Sequence, residues 1–134
     1  RKKLPSIIEK VWYAFDWDAE DLWALDLKAE PFPLARLEWM LDIPAFGFEG
    51  RDYCLTPRSV LRQPYRYADE YRRVRQANLV FPIEIMWLRG RWVILDGVHR
   101  MMKAHELGHD EIVARKVPRS LFEPDKKPKS ARRP

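Results

Sequence analysis

The residues with the most chemical promise are Asp96, Gly97, Val98, His99 and Arg100, where the apolar run ending at Leu95 passes through a glycine into a segment of helical character. The first backbone N–H groups of a helix have no partner within it. Together with the positive end of the macrodipole they offer a resting place for a phosphate. His99 and Arg100 fall in that first turn, where a cation opposes the dipole, and a bound anion would reconcile them with it. Asp96, at the strand end, has four roles open to it: capping the turn, orienting His99, holding a metal–nucleotide complex, or acting as a base. The plainer alternative is a simple turn followed by a surface arginine paired with a carboxylate.

A second pattern lies just downstream. His105, Glu106, Leu107, Gly108 and His109 satisfy the His-Glu-x-x-His spacing of zinc hydrolases, in which two histidines one turn apart bind the metal and the glutamate activates water. That chemistry needs the helix to run through His109 and a third ligand to follow. Gly108 is a helix-stop signal that would splay His109 from His105, and the remaining histidine, His99, lies upstream. Zinc hydrolysis through His105, Glu106 and His109 is therefore a minor alternative function, and no metal-ligand set is assigned. Arg66, Arg72, Arg73 and Arg75 could line a phosphate pocket if their helix packs beside Arg100, or could form a solvated face. Glu70 and Glu84 are available carboxylates that no spacing selects. The six tryptophans read as packing residues and Cys54 as an inert, partly buried thiol.

The elements that must position these residues can be placed from periodicity and punctuation. Asp18 predicts a helix cap ahead of residues 19–28, ended by Pro31 and Pro33. Leu34, Leu37 and Leu41 predict a second short helix over 34–42, and residues 45–55 read as a loop or short extended segment. Thr56 followed by Pro57 is a helix start. Residues 65–77 are predicted helical, with Tyr67, Tyr71 and Val74 on one face and Asp69 set to pair with Arg73. From Pro82 the period becomes two: Ile83, Ile85 and Trp87 alternate with Glu84, Met86 and Leu88, and a turn at Arg89-Gly90 leads into Trp92, Val93, Ile94 and Leu95, a β-hairpin. A helix over 98–107 closed at Gly108, then a strand over 112–117, complete a β-β-α-β order.

Residues 82–118, with the helix before them, resemble the ParB/sulfiredoxin superfamily core, a likeness that covers about residues 55–120. That family places a Gly-x-[His/Arg/Thr]-Arg turn at a helix start to hold nucleotide phosphates. The resemblance implies that Gly97 is the turn glycine, His99 the middle position and Arg100 the phosphate-binding arginine, with Val98 and Lys103 in the same cradle and Asp96 and His99 as candidate catalytic groups. It implies ATP, ADP or CTP as ligand, with Mg²⁺ near Asp96, and extends to phosphotransferase or NTPase activity. Val98 stands where sulfiredoxins carry their catalytic cysteine, which argues against sulfinic-acid reduction. Val98 and His99 also replace the Glu-Arg of partition proteins.

The expected fold is therefore α+β: a small mixed sheet with a β-β-α-β core over 55–120, an N-terminal helical section over 1–54 packed on it, and a basic Pro/Lys/Arg-rich tail over 121–134. Charge is unevenly spread, with ten acidic against three basic residues in 9–50 and basic excess in 51–75 and 124–134. Those two basic stretches would be the footprint of a DNA-associated partition-like, nuclease-like or regulatory module, the alternative to nucleotide binding. The longest stretch without Asp, Glu, Lys or Arg, residues 76–83, is eight long. A membrane span needs about 18 or more. A single cysteine excludes an internal disulfide, and with no signal-like apolar segment at the start the chain is expected to be cytoplasmic.

Overall fold

A computed structural model of the chain describes residues 18–122. In chain order the elements are α1 (Ala19–Trp23), β1 (Ala29–Pro33), β2 (Phe46–Phe48), β3 (Arg51–Leu55), α2 (Pro57–Arg62), α3 (Ala68–Gln76), β4 (Ile83–Leu88), β5 (Arg91–Asp96), α4 (Val98–Glu106) and β6 (Glu111–Lys116), with 3₁₀ turns at Leu34–Arg36, Glu38–Asp42 and Arg119–Phe122. The main sheet runs β1-β6-β4-β5, and β2 and β3 pair separately. Antiparallel pairing joins β4 to β5 and β1 to β6, whereas β4 and β6 are parallel. The protein is thus a mixed α+β fold with a small mixed sheet and several helices.

Local chemistry accounts for most boundaries. The Thr56 hydroxyl accepts the Ser59 N–H at 3.1 Å, and Pro57 supplies a preset φ for the first turn of α2. Arg89 and Gly90 both have positive φ, 51° and 87°, as a two-residue turn between twisted strands demands. At the other end of α4 the Gly108 N–H reaches the His105 carbonyl and the His109 N–H the Ala104 carbonyl, both at 3.0 Å, which is the Schellman arrangement around a left-handed glycine.

Three sequence expectations need correction. The helix expected over 19–28 stops at Trp23, and Pro31 and Pro33, read as terminators, belong to β1. A strand tolerates two prolines there because β1 is a sheet edge, and a missing N–H on its outer side breaks no ladder. Residues 46–55, read as a loop or short extended segment, form a hairpin turning at Glu49-Gly50. The strict alternation read for β4 fails because the strand is central: Ile83, Glu84, Ile85 and Met86 are all buried, one face after the other. Asp69 pairs with Arg72 at 3.4 Å, and Arg73 turns to Glu70 at 3.1 Å, one position closer along the helix than expected.

Other expectations hold. Leu34, Leu37 and Leu41 are buried, although their turns are 3₁₀ rather than α-helical. Val74 is fully buried, with Tyr67 and Tyr71 packed beside the core. Leu22, Leu37, Val60, Val74, Ile85, Met101 and Met102 share one apolar cluster, so residues on both sides of position 54 fold around a common interior. Among the described residues no helix is long and apolar enough to cross a membrane. Trp12, Trp17 and the basic stretch 124–134 lie outside the described residues.

Candidate functional site

The site is built where β5 ends beside β4 and the chain reverses into α4. Gly97 is the N-cap of α4 at φ 110°, and no side chain caps the first turn. A Cβ at this position would lie 2.4 Å from Ile83 Cγ2, inside any tolerable contact, so glycine is required both by its torsion and by the approach of β4. The N–H groups of the first turn of α4 have no intrahelical partner.

In front of them lies a pocket of about 370 Å³ whose wall includes Arg73, Asn78, Phe81, Asp96, Gly97, His99 and Arg100. Arg73 comes from α3, Asn78 and Phe81 from the linker before β4, and the rest from the corner itself. Among the described residues, Asp96 is its only carboxylate. The Trp23 indole N–H donates to Asp96 Oδ2 at 2.9 Å, and Arg100 Nη1 sits 3.9 Å from the same oxygen while donating to the Pro82 carbonyl at 3.2 Å. The conflict between Arg100 and the helix dipole is thus partly relieved within the protein. His99 Nε2 is 2.8 Å from Glu70 Oε2, and its ring stacks on Phe46 with centroids 5.2 Å apart. An imidazole held between a carboxylate and an aromatic face has a fixed orientation, which a proton-transfer group needs.

The side chains of Lys103 and Val98, expected in the phosphate cradle, are not among those that line the pocket. Lys103 Nζ donates to the carbonyls of Arg75 at 2.8 Å and Ala77 at 2.7 Å, so its ammonium closes the C-terminal end of α3, where carbonyls lack partners and the dipole is negative. Val98 packs against the core by its side chain. Replacing Lys103 with methionine is expected to lower stability by about 1 kcal/mol, measured by urea denaturation, through loss of this cap.

Behind the corner, Glu84 is 1% exposed and pairs with Asp96 in the β4–β5 register. Its Oε2 accepts from Arg115 Nη1 at 3.2 Å, and Oε1 has no hydrogen-bond partner. Burial, reinforced by the Asp96 charge and opposed by Arg115, pushes the Glu84 carboxyl above its usual value. Arg115 also donates to the Leu25 carbonyl. This pair anchors the chain after α1 to the sheet.

The His-Glu-x-x-His spacing does not assemble. Helix α4 ends at Glu106, His105 Nδ1 is hydrogen-bonded to Glu38, the Glu106 carboxylate receives the Tyr71 hydroxyl at 2.9 Å, and His109 is exposed beyond Gly108. Among the described residues no group of three or more His, Cys, Asp or Glu side chains is placed to hold a metal ion. Within the basic stretch 51–75, Arg58 is bound to Asp42 at 2.6 Å and Arg66 lies 5.5 Å from the centre of the Tyr67 ring, so part of its charge is already engaged.

Sequence reasoning placed Asp96, Gly97, His99 and Arg100 at one corner and allowed for Arg73. It missed Asn78 and Phe81. Phe81 left a faint signal, an apolar residue before a proline outside any periodic element, and Asn78 left none. No protein-family model, curated protein or solved structure matches this chain.

Proposed function

We propose that the chain binds a nucleotide, or another phosphorylated small molecule, through the corner at Gly97, His99 and Arg100. The observation that carries this is a pocket of about 370 Å³ lying directly before the uncapped first turn of α4 and lined by Arg73, His99 and Arg100. A phosphate there would accept the free N–H groups and sit between two guanidinium groups. Asn78 and exposed Phe81 on the same wall suit the polar edge and flat face of a base. The β-β-α-β order with a glycine corner opening α4 supports assignment to the ParB/sulfiredoxin type, with Gly97, His99 and Arg100 in the roles that the resemblance gives them.

Mg²⁺ would fit this wall in the mode in which a cation is held by one carboxylate and the ligand's own phosphates, and Asp96 supplies the carboxylate. The ion would contribute charge neutralisation of the phosphates. Phosphoryl transfer or hydrolysis at the site would rest on positioning by Arg73 and Arg100 and on His99, oriented by Glu70, to move a proton.

Isothermal titration with ATP, ADP and CTP, with and without Mg²⁺, is expected to show binding by at least one of them, weakened about 10-fold or more by Arg100→Ala. Absence of binding by all three, or affinity unchanged in the variant, overturns the assignment.

A further inference from the structure

Two groups of opposite charge meet at the corner without closing on each other. Asp96 and Arg100 have the i,i+4 spacing at which ion pairs form along a helix, yet Arg100 Nη1 stays 3.9 Å from Asp96 Oδ2 and donates to the Pro82 carbonyl at 3.2 Å instead. The oxygen that the guanidinium would take is already engaged. The Trp23 indole N–H donates to that same Oδ2 at 2.9 Å, from 73 positions away in the sequence. Trp23 is not among the residues that line the pocket, and at 57% exposed it is not held in place by burial of its ring. Its neighbours hold it. Leu22 is fully buried, and the Leu25 carbonyl accepts from Arg115, so the indole is brought to Asp96 by chain anchored on either side. The acidic stretch ahead of β1 thus reaches the corner through this contact.

We infer that Trp23 is a positioning residue for the corner: by engaging Asp96 Oδ2 it keeps the carboxylate from closing on Arg100 and leaves the guanidinium open to a phosphate. This role rests on the phosphate-binding reading of the corner. An arginine closed on a carboxylate makes short, charge-assisted bonds that an incoming phosphate must break. An arginine held by a neutral carbonyl, with the carboxylate at a distance, keeps most of its N–H donors for the ligand. A neutral indole suits the task because it takes an acceptor site on Asp96 without adding a charge to the wall.

Titration calorimetry of the full chain with inorganic phosphate, ATP, ADP and CTP, in EDTA and again with Mg²⁺, tests this on the parent, Trp23→Phe, Asp96→Asn and the double variant. Binding of at least one probe by the parent in EDTA is expected, since the open Arg100 needs no metal to free it. Trp23→Phe keeps a ring and loses the N–H, and is expected to weaken that binding about 5-fold, the worth of one hydrogen bond. In the Asp96→Asn background the same replacement is expected to change affinity by less than about 2-fold, because no carboxylate remains to capture Arg100. A purely structural role would cost the same in both backgrounds. The Trp23 ring is mostly exposed, so thermal midpoints near the parent's are expected. Without any ligand, the Trp23 indole proton in a ¹H–¹⁵N spectrum, recognised by its absence from Trp23→Phe, is expected to move upfield in Asp96→Asn. No binding of any probe by the parent, with or without Mg²⁺, overturns the phosphate-binding reading and this role with it. Binding only with Mg²⁺, binding unchanged by Trp23→Phe, an equal cost in both backgrounds, or an indole proton unmoved by Asp96→Asn overturns the role of Trp23 alone.

Discussion

Gly97→Ala is expected to lower folding stability by about 2–5 kcal/mol and to abolish ligand binding at the corner, because torsional strain and overpacking act together. The alanine would need φ near 110°, and its Cβ would meet Ile83 Cγ2 at 2.4 Å and Ile83 Cβ at 2.9 Å. Ile83 cannot retreat, since it is fully buried in the central strand. The smaller entropy of the unfolded alanine chain offsets only about 0.4–1 kcal/mol. Shortening Ile83 should return part of the loss: in a Gly97→Ala/Ile83→Ala background the added methyl is expected to cost less than in the parent, leaving mainly the torsional part. Urea denaturation of the four chains in this cycle checks it. A Gly97→Ala loss below 1 kcal/mol, or an equal cost in both backgrounds, would show that the corner is more pliable than its geometry implies.

Arg115→Leu is expected to cost about 3–5 kcal/mol at pH 7, because it strands a buried carboxylate. Glu84 is 1% exposed, one of its oxygens is already without a partner, and Asp96 adds a like charge. The cost should shrink in acid. Burial raises the Glu84 carboxyl above its usual 4.5, so the folded state holds this proton more tightly than the unfolded chain does. The contribution favours folding fully below pH 4.5 and fades as the pH climbs through the raised value. Removing Arg115 raises that value further, so the variant's deficit relative to the parent should be smaller at pH 5 than at pH 7. A Glu84→Leu/Arg115→Leu double variant is expected to recover much of the stability, since apolar groups of similar size need no partner. Denaturation curves at the two pH values decide the matter; a deficit that does not change with pH would mean that Glu84 is not the group responsible.

What could be read from the sequence follows the range of the interactions concerned. The β4–β5 hairpin, the Thr56–Pro57 helix start and the Gly108 closure were legible because each is decided within about five residues. The corner at Asp96 and Gly97 was legible for the same reason. Strand β1 was not, because Pro31 and Pro33 act as breakers everywhere except at a sheet edge, and edge position is a property of the assembled sheet. Lys103 reads as a phosphate ligand from its place in α4, yet the carbonyls it binds, on Arg75 and Ala77, come into reach only when α3 packs beside it. Glu70 and Glu84 were visible as carboxylates without roles. Their partners, His99 and Arg115, stand 29 and 31 positions away, and no local pattern encodes such pairings.

The outermost strand carries a kinetic consequence. Ala29 pairs with Arg115, so β1 can zip onto β6 only after nearly the whole intervening chain has been laid down. Closing so long a loop is entropically disfavoured and rewarded late, which places this step among the last in folding. Until it occurs, the backbone of Glu111–Lys116 stands unpaired on one side, a template for another copy of the same strand. Refolding yield should accordingly fall as protein concentration rises.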